Sequence, residues 1–150
     1  MQINTPNVNE ARKQAEKLKK EAPNERIIVL AQGEDFNRKV LEMKNIDILL
    51  DAHFPKEKDK LKQRASGLNE VLCKIAAKNS IKIGIDLEKI KNLDKKEKAI
   101  ILARIKQNIM LCKKAKADLI VLGNYDKKAA FSLLLTLGAS TEMAKRAVEN

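Results

Sequence analysis

Aromatic side chains are almost missing from this 150-residue chain, which holds three Phe, one Tyr and no Trp. A base-stacking platform of the RRM or OB type is thereby excluded, and any contact with nucleic acid must fall on its backbone and shape. Histidine is scarcer still, with His53 alone, and a hydrolase site of the polymerase-and-histidinol-phosphatase type needs several. The two cysteines, Cys73 and Cys112, form no CxxC pair, so neither a disulfide framework nor a zinc site is implied. The longest apolar stretches, near Ile46 to Leu50 and Leu133 to Leu135, fall far short of the about 18 residues that read as a membrane span. Positions 1–9 are polar and carry no charged-then-apolar leader, so the expected setting is the cytoplasm, with no membrane contact. GxGxxG, Walker A, GxSxG and a Cys/His/Asn constellation are all absent. Gly33 is followed by Glu34 and Asp35, two acids at a helix start where a phosphate would be repelled.

What the chain has in abundance is positive charge. Thirty-one Lys and Arg against 20 Asp and Glu leave a formal net charge of +11, which draws phosphate-rich partners by long-range attraction and counterion release. The competing reading is that a small lysine-rich protein is basic for solubility or by genomic bias alone. With 44% apolar residues the chain is long enough for one domain that buries roughly 68–70% of its unfolded surface.

Short runs rich in branched aliphatics at 26–31, 46–51, 81–87 and 118–123 read as buried parallel strands, with a strand fragment at 2–4. Between them lie helical patterns. Val8, Ala11, Ala15, Leu18 and Ala22 keep helical spacing over about 7–21, with Asn7 and Glu10 in the form of a capping box. Leu68, Val71, Leu72, Ile75 and Asn79 mark one side of a helix that Ser66 is expected to cap. Segment 95–116 carries Ile101, Ile105, Ile109 and Cys112 on one stripe, with Asn108 inside it as either a packing residue or a functional contact. Gly138 separates helices at 126–137 and 140–149. This alternation predicts a parallel α/β sheet, either open and doubly wound or part of a (β/α) barrel.

Both architectures place ligands at the carboxyl ends of strands, where the sequence supplies Gln32, Asp51, His53, Asp86 and Asn124. Asp51, His53 and Asp86 make a candidate metal-dependent hydrolase. The competing reading has the aspartates capping helices or pairing with lysines while His53 orders a loop. For a nucleic-acid face the candidates are Lys56, Lys58, Lys60, Lys62 and Arg64, in a stretch that reads as a mobile basic loop or short helix, then Lys74, Lys78, Lys127 and Lys128.

The stretch Ser66-Gly67-Leu68-Asn69-Glu70-Val71-Leu72-Cys73-Lys74-Ile75-Ala76 resembles the Gly-Leu/Ile-Asp-His-Val-Leu-Ala-Lys-Leu helix start of the ribonuclease P protein component 3 family. Asn37-Arg38-Lys39, Ile46-Asp47-Ile48-Leu49-Leu50 before His53, Ile105-Lys106-Gln107-Asn108-Ile109, and Leu137-Gly138 through Ala144-Lys145-Arg146-Ala147 are similar to other parts of that family's pattern. Departures are Asn69-Glu70 in place of Asp-His and Lys127-Lys128 where an Arg-Pro-rich segment is usual. The resemblance implies a TIM-like barrel, here partial and lacking its amino-terminal part. It further implies a noncatalytic subunit that binds ribonuclease P RNA, with Mg²⁺ held by the RNA and no cofactor on the protein. Its partners would be that RNA, precursor tRNA and the ferredoxin-like component 2. A barrel short of strands adds the expectation of self-association, a homo-oligomer being one remedy for open edges.

Overall fold

A computed structural model describes residues 1–55 and 57–149. In chain order the elements are β1 (Gln2–Ile3), α1 (Val8–Glu21), β2 (Ile28–Leu30), α2 (Glu34–Leu41), β3 (Ile48–Leu50), α3 (Glu70–Lys78), β4 (Lys82–Asp86), α4 (Leu87–Lys91), α5 (Lys95–Ala115), β5 (Leu119–Leu122), α6 (Lys127–Thr136) and α7 (Thr141–Val148). The five strands form one sheet in the order β1-β2-β3-β4-β5, and every pairing is parallel. A doubly wound sheet reverses strand order at a switch point. Here the order never reverses, which is the sequential winding of a (β/α) barrel. Among the described residues no pairing of β1 with β5 closes it.

The two faces of the sheet differ in what covers them. Val29, Leu49, Ile83, Ile85, Leu119 and Val121 join the main core with the helices' apolar residues, such as Ala11, Val40, Leu72, Ile105, Ile109 and Leu134. Ile48, Leu50 and Ile120 point the other way into a small cluster built from strand residues alone, with Ile28, Leu30 and Leu122 partly buried beside them. The period-2 alternation of a strand produces this split. Helices thus cover one face only, as in a barrel wall. Gly84 lets the inner face draw tight, since a Cβ there would lie 2.8 Å from Ile48 Cγ2.

Capping residues set most helix starts. Asn7, Asn69, Asp86, Asp94, Asp126 and Ser140 each accept backbone N–H bonds in the first turn of the helix that follows. Three sequence expectations need correction. Ser66 does not cap α3: Asn69 does, through Leu72 N, while buried Ser66 donates its Oγ to the Leu68 carbonyl. Val71 is exposed, and Cys73 and Ala76 take its place in the core. Glu10 does not reciprocate in a capping box. It turns to the Thr5 hydroxyl and the Gln14 amide, and Thr5 Oγ1 accepts from Asn7 N instead.

Candidate functional site

At the carboxyl ends of the strands, Asp51 ends β3 with φ 58°, in the left-handed region that Asp tolerates better than most residues. Its buried carboxylate accepts from Lys89 Nζ at 2.6 Å through Oδ2 and from Asp86 N at 3.0 Å through Oδ1. Burial pushes this carboxyl above its ordinary range, and the bonds from Lys89 and Asp86 pull it part of the way back. His53 is buried beside it, with Nε2 3.7 Å from Asp51 Oδ1 and its ring against Phe54. Desolvation, with the charges of Lys89 and Arg104 added, lowers the imidazole to about 3. His53 is therefore neutral at pH 7, and its approach to Asp51 is not an ion pair.

Asp86 spends its Oδ1 on the first turn of α4, accepting from Glu88 N and Lys89 N. At the remaining two strand-end residues, Gln32 N donates to Asn37 Oδ1 and the Asn124 carbonyl accepts from Lys91 Nζ. The acidic donors that a hydrolase would offer to a metal are thus already engaged by an ammonium and by helix N–H groups. Among the described residues no three His, Cys, Asp or Glu side chains stand together as a ligand set. This cluster ties β3, β4 and α4 together.

The second candidate lies at the same end of the sheet. Residues 57–65, which follow β3 and precede α3, hold no helix among the described residues, so of the two alternatives, loop or short helix, the structure has the loop. Lys56 lies outside them. The segment is laced to α5 instead. Arg104, on the buried side of α5, donates Nε to Asp59 Oδ1 (3.0 Å), Nη1 to the Pro55 carbonyl (3.3 Å) and Nη2 to the Glu57 carbonyl (2.9 Å). Gln107 accepts from Arg64 N and donates to Arg64 O and Ser66 Oγ, while Asn108 donates to the Ser66 carbonyl. Asp59 also accepts from Ala65 N (2.7 Å) and Arg64 Nη1 (3.4 Å). Partial burial pushes the Asp59 carboxyl upward, but the bonds from Ala65 and Arg104 and the charges of Arg104 and Arg64 outweigh it and hold the group below its ordinary range.

Gly67 follows at φ +75°, where a Cβ would lie 2.0 Å from the Ala52 carbonyl oxygen, so only glycine fits. Its own carbonyl accepts from the buried Asn37 amide. The segment that carries the family resemblance is thus the seam joining the β2, β3 and α5 neighbourhoods.

On this frame Lys58, Lys60, Lys62 and Arg64 are exposed around Leu61, whose side chain is wholly in solvent. Lys58, Lys60 and Arg64 line a cavity of about 530 Å³ whose other residues include Glu34, Asp35 and Glu57. Its mixed charge makes it a poor pocket for a lone phosphate. Lys127 and Lys128 open α6 directly after β5, at the same end of the sheet. Lys74 sits on α3 and pairs with Glu70 at 2.9 Å. Lys78 ends α3 and therefore lies at the opposite end of the sheet, apart from the others. Arg104 escaped the sequence reading. Its signal was a cation at the i+3 position of the Ile101 stripe, between buried isoleucines, where a charge must find partners.

No protein-family model matches the chain. Its curated homologues are named ribonuclease P protein component 3. That of Methanosarcina acetivorans is 34% identical over 95 residues, 63% of this chain and 36% of that protein. That of Methanococcus maripaludis is 27% identical over 123 residues, 81% of this chain and 48% of that protein. The chain spans between about a third and a half of the length of these relatives. Among solved structures it is similar to a chain of the cryo-EM structure of archaeal ribonuclease P with mature tRNA, with a TM-score of 0.78 at 22% identity over 99% of this chain and 63% of that one. A crystal structure of an uncharacterized protein follows, with a TM-score of 0.62 at 10% identity over 95% of this chain and 36% of that one.

Proposed function

We propose, taking kinship with ribonuclease P protein component 3 as the premise, that this chain acts as a protein subunit of ribonuclease P. In that role it binds and activates the RNA that removes the 5′ leader from precursor tRNA. The homology carries the reading. The net charge of +11 and the array of exposed cations at one end of the sheet support it. In this reading catalysis and Mg²⁺ belong to the RNA, and the bonds that Asp51 makes to Lys89 and Asp86 makes to α4 suit a structural role for both. Lys58, Lys60, Lys62 and Arg64 form the main RNA face, Lys127 and Lys128 extend it, and Lys74 and Lys78 are outlying contacts on α3. Component 2 is the protein partner.

With only four aromatic residues, binding rests on phosphate neutralisation, so affinity falls steeply with salt. Two measurements test this. Precursor-tRNA cleavage at moderate Mg²⁺, reconstituted from cognate ribonuclease P RNA and component 2, rises on adding this chain; an unchanged rate rejects the role. Replacing Lys60, Lys62 and Arg64 together by Ala weakens RNA binding and reduces the log–log salt slope by roughly 0.7–0.9 for each phosphate no longer neutralised. An unchanged slope moves the RNA face elsewhere.

A further inference from the structure

We infer that Arg104 is a positioning residue for RNA binding: it never meets the RNA, but it holds the cationic loop 57–64 in the one shape that fits it. The inference rests on the RNA-face reading above and names what makes that face work.

Among the described residues the loop has little order of its own. Residues 57–64 form no helix or strand, and none of them is buried. Leu61, their single large apolar side chain, is fully exposed. A loop without an apolar anchor keeps its backbone free unless polar bonds fix it. Those bonds converge on α5. The guanidinium of Arg104 takes the Glu57 carbonyl, the Pro55 carbonyl just ahead of the loop and the Asp59 carboxylate, using nitrogens on both its edges, and Asp59 passes the restraint on to Ala65 N and Arg64. Gln107 closes the far side through both backbone atoms of Arg64. Within the loop, among the described residues, the Lys60 N to Gln63 carbonyl bond is added, around the tip residues Leu61 and Lys62.

Arg104 is itself unsuited to touching a phosphate. Its side chain is 8% exposed and its charge is met by Asp59. Its contribution must therefore be shape, since a pre-ordered loop does not lose its freedom at the moment of binding. Lysine cannot substitute, because a single ammonium does not reproduce the planar fork that reaches three acceptors in fixed directions.

Shape and charge separate in a salt titration. The double variant Arg104→Met with Asp59→Asn removes the clamp and leaves the net charge unchanged. Measured against cognate ribonuclease P RNA, it binds about tenfold more weakly than the parent with the same log–log salt slope, because the same phosphates are neutralised once the loop has been ordered. Trypsin cuts it faster after Lys58, Lys60, Lys62 and Arg64, while its circular dichroism stays that of the parent. Added to a Lys58→Ala, Lys60→Ala, Lys62→Ala, Arg64→Ala background, which removes every cation of the loop, the clamp variant causes no further loss.

If the double variant is poorly folded, Gln107→Ala loosens the same loop from its other anchor and gives the same signature. Parent-like binding by the triple Ala variant rejects the RNA face, and the clamp role with it. A weakened triple Ala variant beside a clamp variant that binds like the parent rejects the clamp alone. A reduced salt slope, or a loss that persists once Lys58, Lys60, Lys62 and Arg64 are all Ala, also overturns it, by making Arg104 a direct contact or an actor elsewhere.

Discussion

His53 is the single histidine of the chain and is buried, so one proton reports on the whole fold. Its pKa falls from 6.5 to about 3 on folding, chiefly through desolvation. Between those values the unfolded chain binds a proton that the native state refuses, so stability rises with pH across the window. The stabilisation is fully present above 6.5 and is lost as pH falls toward 3. Each pH unit below 6.5 costs ~1.4 kcal/mol, which makes the loss between pH 7.5 and pH 5 about 2 kcal/mol. Asp51 works in the opposite sense, because its raised carboxyl takes up a proton in the native state before it does so in the unfolded one. The measurement is therefore a difference. Urea unfolding of the parent and of His53→Leu, at several pH values, gives two curves in which the parent loses about 2 kcal/mol relative to the variant from pH 7.5 to pH 5. The variant forfeits no hydrogen bond of Nε2, since that atom has no partner among the described residues. An imidazole resonance that titrates near 6.5 in the folded protein refutes the argument, and so does a separation that stays constant with pH.

Gly67→Ala combines a left-handed φ with a Cβ forced onto the Ala52 carbonyl, and should cost about 3–5 kcal/mol in chemical denaturation; a loss under 1 kcal/mol contradicts the close approach. Lys89→Met leaves the Asp51 carboxylate buried without its cation and costs ~2–4 kcal/mol at pH 7, a cost that shrinks on acidification as Asp51 takes up a proton; urea midpoints at pH 7 and pH 5 check both statements. Cys73 and Cys112 lie fully buried with their sulfurs 3.8 Å apart, and their contact and burial raise the Cys112 thiol well above its usual value. A thiol reagent should accordingly label them only as fast as the chain unfolds, and rapid labelling of the native protein defeats the claim.

The sheet was legible in the sequence because each of its longer strands is a run of branched aliphatics with helical spacing on either side. Ile28–Leu30 and Leu119–Leu122 fall inside such runs, trimmed at the ends. β1, with two residues, is too short to carry a period and showed only as a fragment. Strand order was not legible, since a run of aliphatics reads the same at the edge of a doubly wound sheet as in a barrel wall. Helix α4 was hidden because Leu87 continues the aliphatic run of β4, and only the cap at Asp86 divides them. The Asp51 and Asp86 roles were foreseen in kind, as ion pair and cap, because acids beside lysines at strand ends have few other buried fates. The loop clamp was not, because it links Asp59 to a residue 45 positions later, a separation over which sequence spacing says nothing.

That separation bears on the order in which the molecule becomes complete. Pro55, Glu57 and Asp59 find their partner only after α3, β4 and α4 have intervened and α5 has docked its Arg104 side against the core. Closing so long an interval is a late event compared with forming local turns and helices. During synthesis the basic loop therefore emerges early and stays unclamped until nearly two-thirds as much chain again has followed. A polypeptide stalled or clipped before α5 carries all of the loop's charge with none of its geometry.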